Sequence, residues 1–165
     1  MRLLAIDLGD KRTGLALGDR VTGTASPLSV LEVPLAERAG ESLLDRLATV
    51  IEEELGPQDT LVLGFPLNMD GSEGPRAKLC RGFGARLAAR TGRAVLLADE
   101  RRTSARADEL MARSGLTHKQ KKARRDAIAA AAILQGVLDG TIETFPVESE
   151  PPAPPSPPSP PSTPG

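Results

Sequence analysis

Residues 2–18 run Arg2-Leu3-Leu4-Ala5-Ile6-Asp7-Leu8-Gly9-Asp10-Lys11-Arg12-Thr13-Gly14-Leu15-Ala16-Leu17-Gly18, and their reading decides the fold class. Leu3 to Ile6 is continuously apolar, the pattern of a strand covered on both faces. Gly9-Asp10 is a turn signal, and Thr13–Gly18 reads as a second strand, so a hairpin is expected. Asp7 stands at the end of the first strand, against the turn. A carboxylate in that position costs free energy unless a cation or hydrogen-bond donors satisfy it.

Downstream of the hairpin, Leu28–Val33 reads as a third strand. Leu43, Leu44, Leu47, Val50, Ile51 and Leu55 recur at helical spacing, and Gly56-Pro57 stops that helix. Thr60–Gly64 is a short apolar strand, followed by a loop over 65–74 rich in Pro, Asn, Asp and Gly. A basic helix spans about 75–91 and ends at Gly92, and Arg93–Ala98 is a further strand. Thr103 or Ser104 caps a helix reaching about Ser114. Thr117 with Gln120 makes a capping box that opens a last helix to about Leu138. Three strands followed by alternation give an α/β protein: a mixed five-stranded sheet with helices on both faces.

Nine of the 15 prolines fall in residues 151–165, where Ala153 is the single apolar residue. Such a stretch cannot bury enough surface to offset its ordering entropy. The folded domain is therefore placed at residues 1–146, and 147–165 is expected to be a disordered or polyproline-like Pro/Ser-rich tail.

Composition removes several function classes. The chain of 165 residues has one cysteine, Cys80, and one histidine, His118, which excludes an internal disulfide, a thiolate zinc cluster and a histidine-rich metal site. Its only aromatic residues are Phe65, Phe83 and Phe145, too few for a base-stacking platform. The apolar run after Arg2 is cut at Asp7, too early for a signal core, and Ala127–Leu134 is too short to span a bilayer. A cytoplasmic location with no membrane partner is expected. Charge is uneven: residues 1–75 hold 6 Lys and Arg against 13 Asp and Glu, and residues 76–125 hold 15 against 4. A middle third so basic is a candidate footprint for a polyanion.

Asp99 and Glu100 end a second apolar strand. If that strand is parallel to the first, both carboxyl ends share the sheet edge where α/β proteins place ligands. Asp126 follows the basic cluster Lys119 to Arg125 and shares a helical face with Ala129, Ala130 and Ile133, which directs it toward the sheet. Converging carboxylates repel one another without cations between them, and all-oxygen ligands suit Mg²⁺ or Mn²⁺. Two such ions can activate a water and stabilise the leaving oxygen of a phosphodiester displacement.

The stretch Ile6 to Ala16 resembles the first signature of the YqgF-type nucleases, a family of pre-16S rRNA nucleases and Holliday-junction-resolvase-like proteins. Gly64-Phe65-Pro66-Leu67-Asn68-Met69-Asp70-Gly71-Ser72 resembles their second, Asp99 to Ser104 their third, and Lys122 to Ala130 with Ile133-Leu134-Gln135 their fourth. The four occur in family order across about residues 1–138. The resemblance implies an RNase H-like fold, with Asp7, Glu100 and Asp126 as catalytic and metal ligands. It favours Glu100 over Asp99, which spacing alone does not separate. Lys11, Arg12, Arg101, Arg102, Lys121, Lys122 and Arg125 are the expected nucleic-acid contacts.

The leading expectation is a nuclease dependent on Mg²⁺ or Mn²⁺ at a two-metal site, processing the 5′ end of pre-16S rRNA in ribosome biogenesis. One alternative is a Holliday-junction resolvase, which acts on four-way DNA as a homodimer, whereas RNA trimming needs only a monomer. Another is a non-catalytic nucleic-acid-binding assembly factor. A phosphate-binding ATPase is disfavoured, because one domain supplies only half of the cleft such enzymes close around a nucleotide.

Overall fold

The computed structural model describes residues 1–101, 109, 112, 115 and 117–147. Strand β1 (Arg2–Leu8) turns directly into the antiparallel β2 (Thr13–Asp19), with Asp7 opposite Gly14 and Ile6 opposite Leu15. The third strand, β3, covers Thr24–Leu31 and so begins four residues before the expected Leu28. Its N-terminal half is disguised by Pro27, which sits where the register against β2 shifts between Leu15 and Ala16. Proline is tolerated there because β3 is an edge strand and the bulge interrupts the ladder.

After a short 3₁₀ turn (Glu37–Gly40) come helix α1 (Glu41–Glu54), strand β4 (Thr60–Phe65), helix α2 (Pro75–Thr91) and strand β5 (Val95–Asp99). Helix α2 has Pro75 in its first turn and Gly92 as a left-handed cap, the termini its sequence announces. Helix α3 (His118–Asp139) opens with the expected capping box: Thr117 Oγ1 accepts from Gln120 N, and Gln120 Oε1 accepts from Thr117 N. The expected helix from 103 to 114 lies outside the described residues, apart from helical positions at 109 and 112.

The sheet has six strands, not five, in the order β3-β2-β1-β4-β5-β6. The additional strand, β6 (Thr144–Pro146), is three residues long and pairs antiparallel with β5. It is too short and too proline-bound to show a period of two. Phe145 meets Phe65 edge-to-face at 6.5 Å. Val147 then donates its N–H to Val95 O at 2.8 Å; residues 148–165 of the expected tail lie outside the described residues.

Helices cover both faces. On one, Leu4, Ile6, Leu8, Leu61 and Leu63 pack with Leu43, Leu47 and Ile51 of α1 and Cys80, Phe83 and Leu87 of α2. On the other, Leu3, Ala5, Ala16, Val62 and Ala98 pack with Ala130, Ala131, Ile133 and Leu134 of α3. The α3 side is built mainly from small residues, so this helix lies close to the sheet. Gln135 fixes its tilt, accepting from Ala25 N and donating to Gly23 O of the β2–β3 hairpin. Among the described residues, no helix is long and apolar enough to cross a membrane.

Candidate active site

Strands β1, β4 and β5 are mutually parallel neighbours, so Leu8, Phe65 and Asp99 finish at one sheet edge. Alternation along each strand decides which acids face one another there. On β1, Leu3 and Ala5 face α3, and Asp7 continues their row. On β5, Ala98 faces α3 while Val95 and Leu97 face the opposite helices. Glu100 thus continues the Ala98 row and Asp99 the Leu97 row.

The two adjacent acids are accordingly in different surroundings. Asp99 accepts a forked pair from Arg101, with Arg101 Nε 3.0 Å from Oδ1 and Nη2 2.6 Å from Oδ2. Arg101 also donates to Met69 O at 3.3 Å, which ties the loop after β4 to the end of β5. Glu100 extends over β4. A Cβ added at Gly64 would stand 3.0 Å from Glu100 Oε2 and 3.1 Å from Ile133 Cδ1. Since β4 lies between β5 and β1, the bare glycine leaves the space through which Glu100 extends toward Asp7.

Asp126 arrives from the other direction. Gly14, the partner of Asp7 across the hairpin, lies directly beneath α3. A Cβ there would fall 1.9 Å from Asp126 O and 2.7 Å from Ala127 N. The missing side chain at Gly14 is what lets the helix backbone descend and bring Asp126 beside Asp7.

The electrostatics register this convergence. Asp7 is half-buried, and its carboxyl is raised to about 6, first by burial and then by the charge of Asp126. Glu100 is raised to about 7, again first by burial and then by Asp7. Arg76 opposes both shifts. From the first turn of α2 its Nη2 donates to Leu8 O at 2.7 Å and its Nη1 to Asp10 Oδ1 at 2.6 Å, which braces the turn that carries Asp7. Nothing in the sequence sets Arg76 apart from the other arginines of α2; its place behind the β1 turn is visible only in three dimensions.

The expected nucleic-acid contacts distribute around this edge. Lys11 and Arg12 are exposed in the β1–β2 turn, with Arg12 Nε 3.8 Å from Glu32 Oε1. Lys121, Lys122 and Arg125 occupy the first turns of α3, just before Asp126. Arg101 is engaged as above, and Arg102 lies outside the described residues. Cys80 is buried in the core face of α2, its thiol pushed up to about 11 by burial, and His118 is exposed. The polar loop after β4 is internally bonded: Asn68 Nδ2 donates to Ser72 Oγ and Ser72 N to Asp70 Oδ1.

Among the described residues, no three acids, histidines or cysteines already stand at the spacing of a metal cage. The donor set nonetheless has the chemistry of a hard-cation site. It offers only oxygens, and two of its carboxyls are protonated too readily to stay fully ionised near neutrality without added positive charge.

Comparison with known proteins extends this picture. A family model described as "RuvX: Holliday junction resolvase" matches residues 1–140. A protein of Anaeromyxobacter sp. (strain Fw109-5), named "Putative pre-16S rRNA nuclease", is 46% identical over 141 residues, spanning 85% of this chain and 98% of that protein. Identically named proteins of Thiobacillus denitrificans and of Lactococcus lactis subsp. cremoris (strain MG1363) are 40% and 38% identical, spanning 85% and 84% of this chain and 92% and 94% of theirs. Among solved structures, Thermus thermophilus RuvC in complex with a Holliday junction substrate superposes with a TM-score of 0.52 at 16% identity, covering 88% of this chain and all of the other. That likeness shows a shared fold, the RNase H-like arrangement of a mixed sheet between helices.

Proposed function

The chain belongs to the RuvX family, and from that premise and the acids at its sheet edge we propose that it is a divalent-metal-dependent nuclease acting on the precursor of 16S rRNA. The observation that supports the chemistry is that Asp7 is coupled by charge both to Glu100, from the end of a neighbouring parallel strand, and to Asp126, from within α3. In this reading those three carboxylates hold Mg²⁺ or Mn²⁺. The chemistry such cations supply is polarisation of the scissile phosphate and acidification of the attacking water. Asp7, coupled to both of the other acids, would be the central ligand of such cations at the end of β1. Lys11 and Arg12 in the adjacent turn, with Lys121, Lys122 and Arg125 on α3, hold the flanking strand through its phosphates. Hydrolysis adds water to phosphorus and breaks one P–O ester bond, with the departing oxygen taking up a proton.

The test is a cleavage assay on two labelled substrates, a 16S rRNA precursor 5′ end and a four-way DNA junction, each with Mn²⁺, Mg²⁺ or chelator. Cutting of the RNA only with metal, and its loss in Asp126→Asn with binding retained, is the expected result. Metal-dependent cutting of the junction alone would move the substrate to DNA, the reading favoured by the description of the matching family. Binding of both without turnover would replace the nuclease by an assembly factor.

Gly64→Ala offers a finer check. The added methyl has 3.0 Å to Glu100 Oε2, so the flexible carboxylate gives way and loses its approach to Asp7. Relief of this contact takes a few tenths of an ångström, so cleavage is expected to fall, but by less than the roughly 100-fold that a misplacement of about 1 Å produces. Thermal stability should change little, because the displaced group is a side-chain end. An unchanged rate at saturating metal would show that Glu100 does not work from this position.

A further inference from the structure

We propose that the cleft at the outer edge of β3 binds a backbone phosphate of the substrate RNA, through Arg46 and Arg124. The proposal rests on the nuclease reading above for the identity of the strand, and on separate residues for the site.

The cleft has a volume of about 510 Å³ and is walled by residues 29–33 at the end of β3, by Arg46 of α1 and by Ala123, Arg124 and Ala127 of α3. The two helices cover opposite faces of the sheet, so the two guanidinium groups flank the β3 end from either side. Both arginines are exposed, and neither forms an ion pair or hydrogen bond among the described residues. This sets them apart from Arg86 and Arg90, which are paired with Glu41 and Asp45 of α1. Glu32 also lines the cleft, but it has Arg12 3.8 Å away, an exposed pair that contributes little and leaves Arg12 able to swing toward an anion. The lining is therefore net cationic, and the outer edge of an edge strand adds unpaired backbone groups.

Position gives the charge its meaning. The register runs Asp7 to Gly14 to Val30, so the cleft begins two strands from Asp7 at the same end of the sheet. At strand spacing that is about 10 Å. Glu100 lies on the opposite side of Asp7, beyond β4. A strand laid across this edge with its reacting phosphate over Asp7 would carry a neighbouring phosphate into the cleft. Arginine suits such a contact because its planar fork matches a phosphate with two donors.

The experiment measures binding of a fluorescently labelled single-stranded RNA, a 16S rRNA precursor 5′ end, in chelator across a salt series. Three proteins are compared: wild type, Arg46→Ala/Arg124→Ala, and Arg86→Ala/Arg90→Ala, with thermal melts to confirm folding. The cleft variant should bind about tenfold more weakly, and its plot of log affinity against log salt should be shallower by about one. The α2 variant removes equal charge and should match wild type. Arg46→Lys/Arg124→Lys should recover most of the salt slope, because the charge returns. Equal affinity and slope for wild type and the cleft variant would overturn the subsite, even with metal-dependent cleavage intact. A weakened cleft variant of a protein that never cleaves would instead support the subsite and sink the nuclease reading.

Discussion

Asp7→Asn is expected to remove all measurable cleavage and, at the same time, to make the metal-free protein more stable at pH 8. The two effects share a cause. In the folded protein the Asp7 carboxyl is raised from 3.8 to about 6 and that of Glu100 from 4.5 to about 7. A group whose folded pKa is raised contributes stability that is complete below its unfolded pKa and is lost as pH rises through the folded value. Wild type in chelator should therefore lose stability between about pH 4 and pH 7, the span of those values. Asparagine carries no charge at any pH, so the variant escapes the share due to Asp7 and also relieves Glu100 of its neighbour. The displacement at Asp7 corresponds to about 3 kcal/mol, and on the order of 2 kcal/mol after allowance for partial exposure. For a domain of this size that is a rise in Tm of about 4–8 °C at pH 8, shrinking toward zero at pH 4. Added Mn²⁺ should reverse the order, raising the Tm of wild type by mass action while leaving Asp7→Asn nearly unmoved. A variant less stable than wild type at pH 8 in chelator, or one that still cleaves, would remove Asp7 from the centre of the site.

How much of this site the sequence could show depends on the range of the interaction involved. Features set by neighbours along the chain are legible: the apolar run of β1, the capping box at Thr117, Pro75 and Gly92 bounding α2. The start of β3 is not, because Pro27 signals a break and only the bulge against β2 explains its tolerance. Strand β6 is too short to carry a period and exists because β5 offers a free edge. The choice between Asp99 and Glu100 illustrates the limit well. Both Asp7 and Glu100 stand two residues after an alanine, Ala5 and Ala98, and those alanines mark the row under α3. The alternation is written in the chain, but which row meets a helix bearing a third acid is a tertiary fact. Arg46 and Arg76 are ordinary helix arginines in sequence and Arg124 is one member of a basic run; only topology gathers the three at the edge where Asp7 stands.

Gly14→Ala is expected to cost about 3 kcal/mol or more and about 10 °C in Tm, with cleavage lost even where the protein remains folded. At Gly64 the obstacle is the end of a flexible side chain; at Gly14 it is backbone. The new Cβ would overlap Asp126 O at 1.9 Å and the carbonyl carbon at 2.1 Å, distances no rotamer change relieves. Either β2 bends away from α3 or the first turns of the helix lift. The second course is the cheaper, because Gln135 holds α3 to the β2–β3 hairpin further along, so the helix can pivot about that point. Lifting that end carries Asp126 away from Asp7, and with it the charge that helps raise the Asp7 carboxyl. The signature is therefore specific: in Gly14→Ala the Asp7 titration, followed by carboxyl NMR in chelator, should fall back from about 6 toward its ordinary range. Retention of wild-type Tm, cleavage and Asp7 titration together would mean that α3 does not rest on Gly14 and that Asp126 reaches the edge by another route.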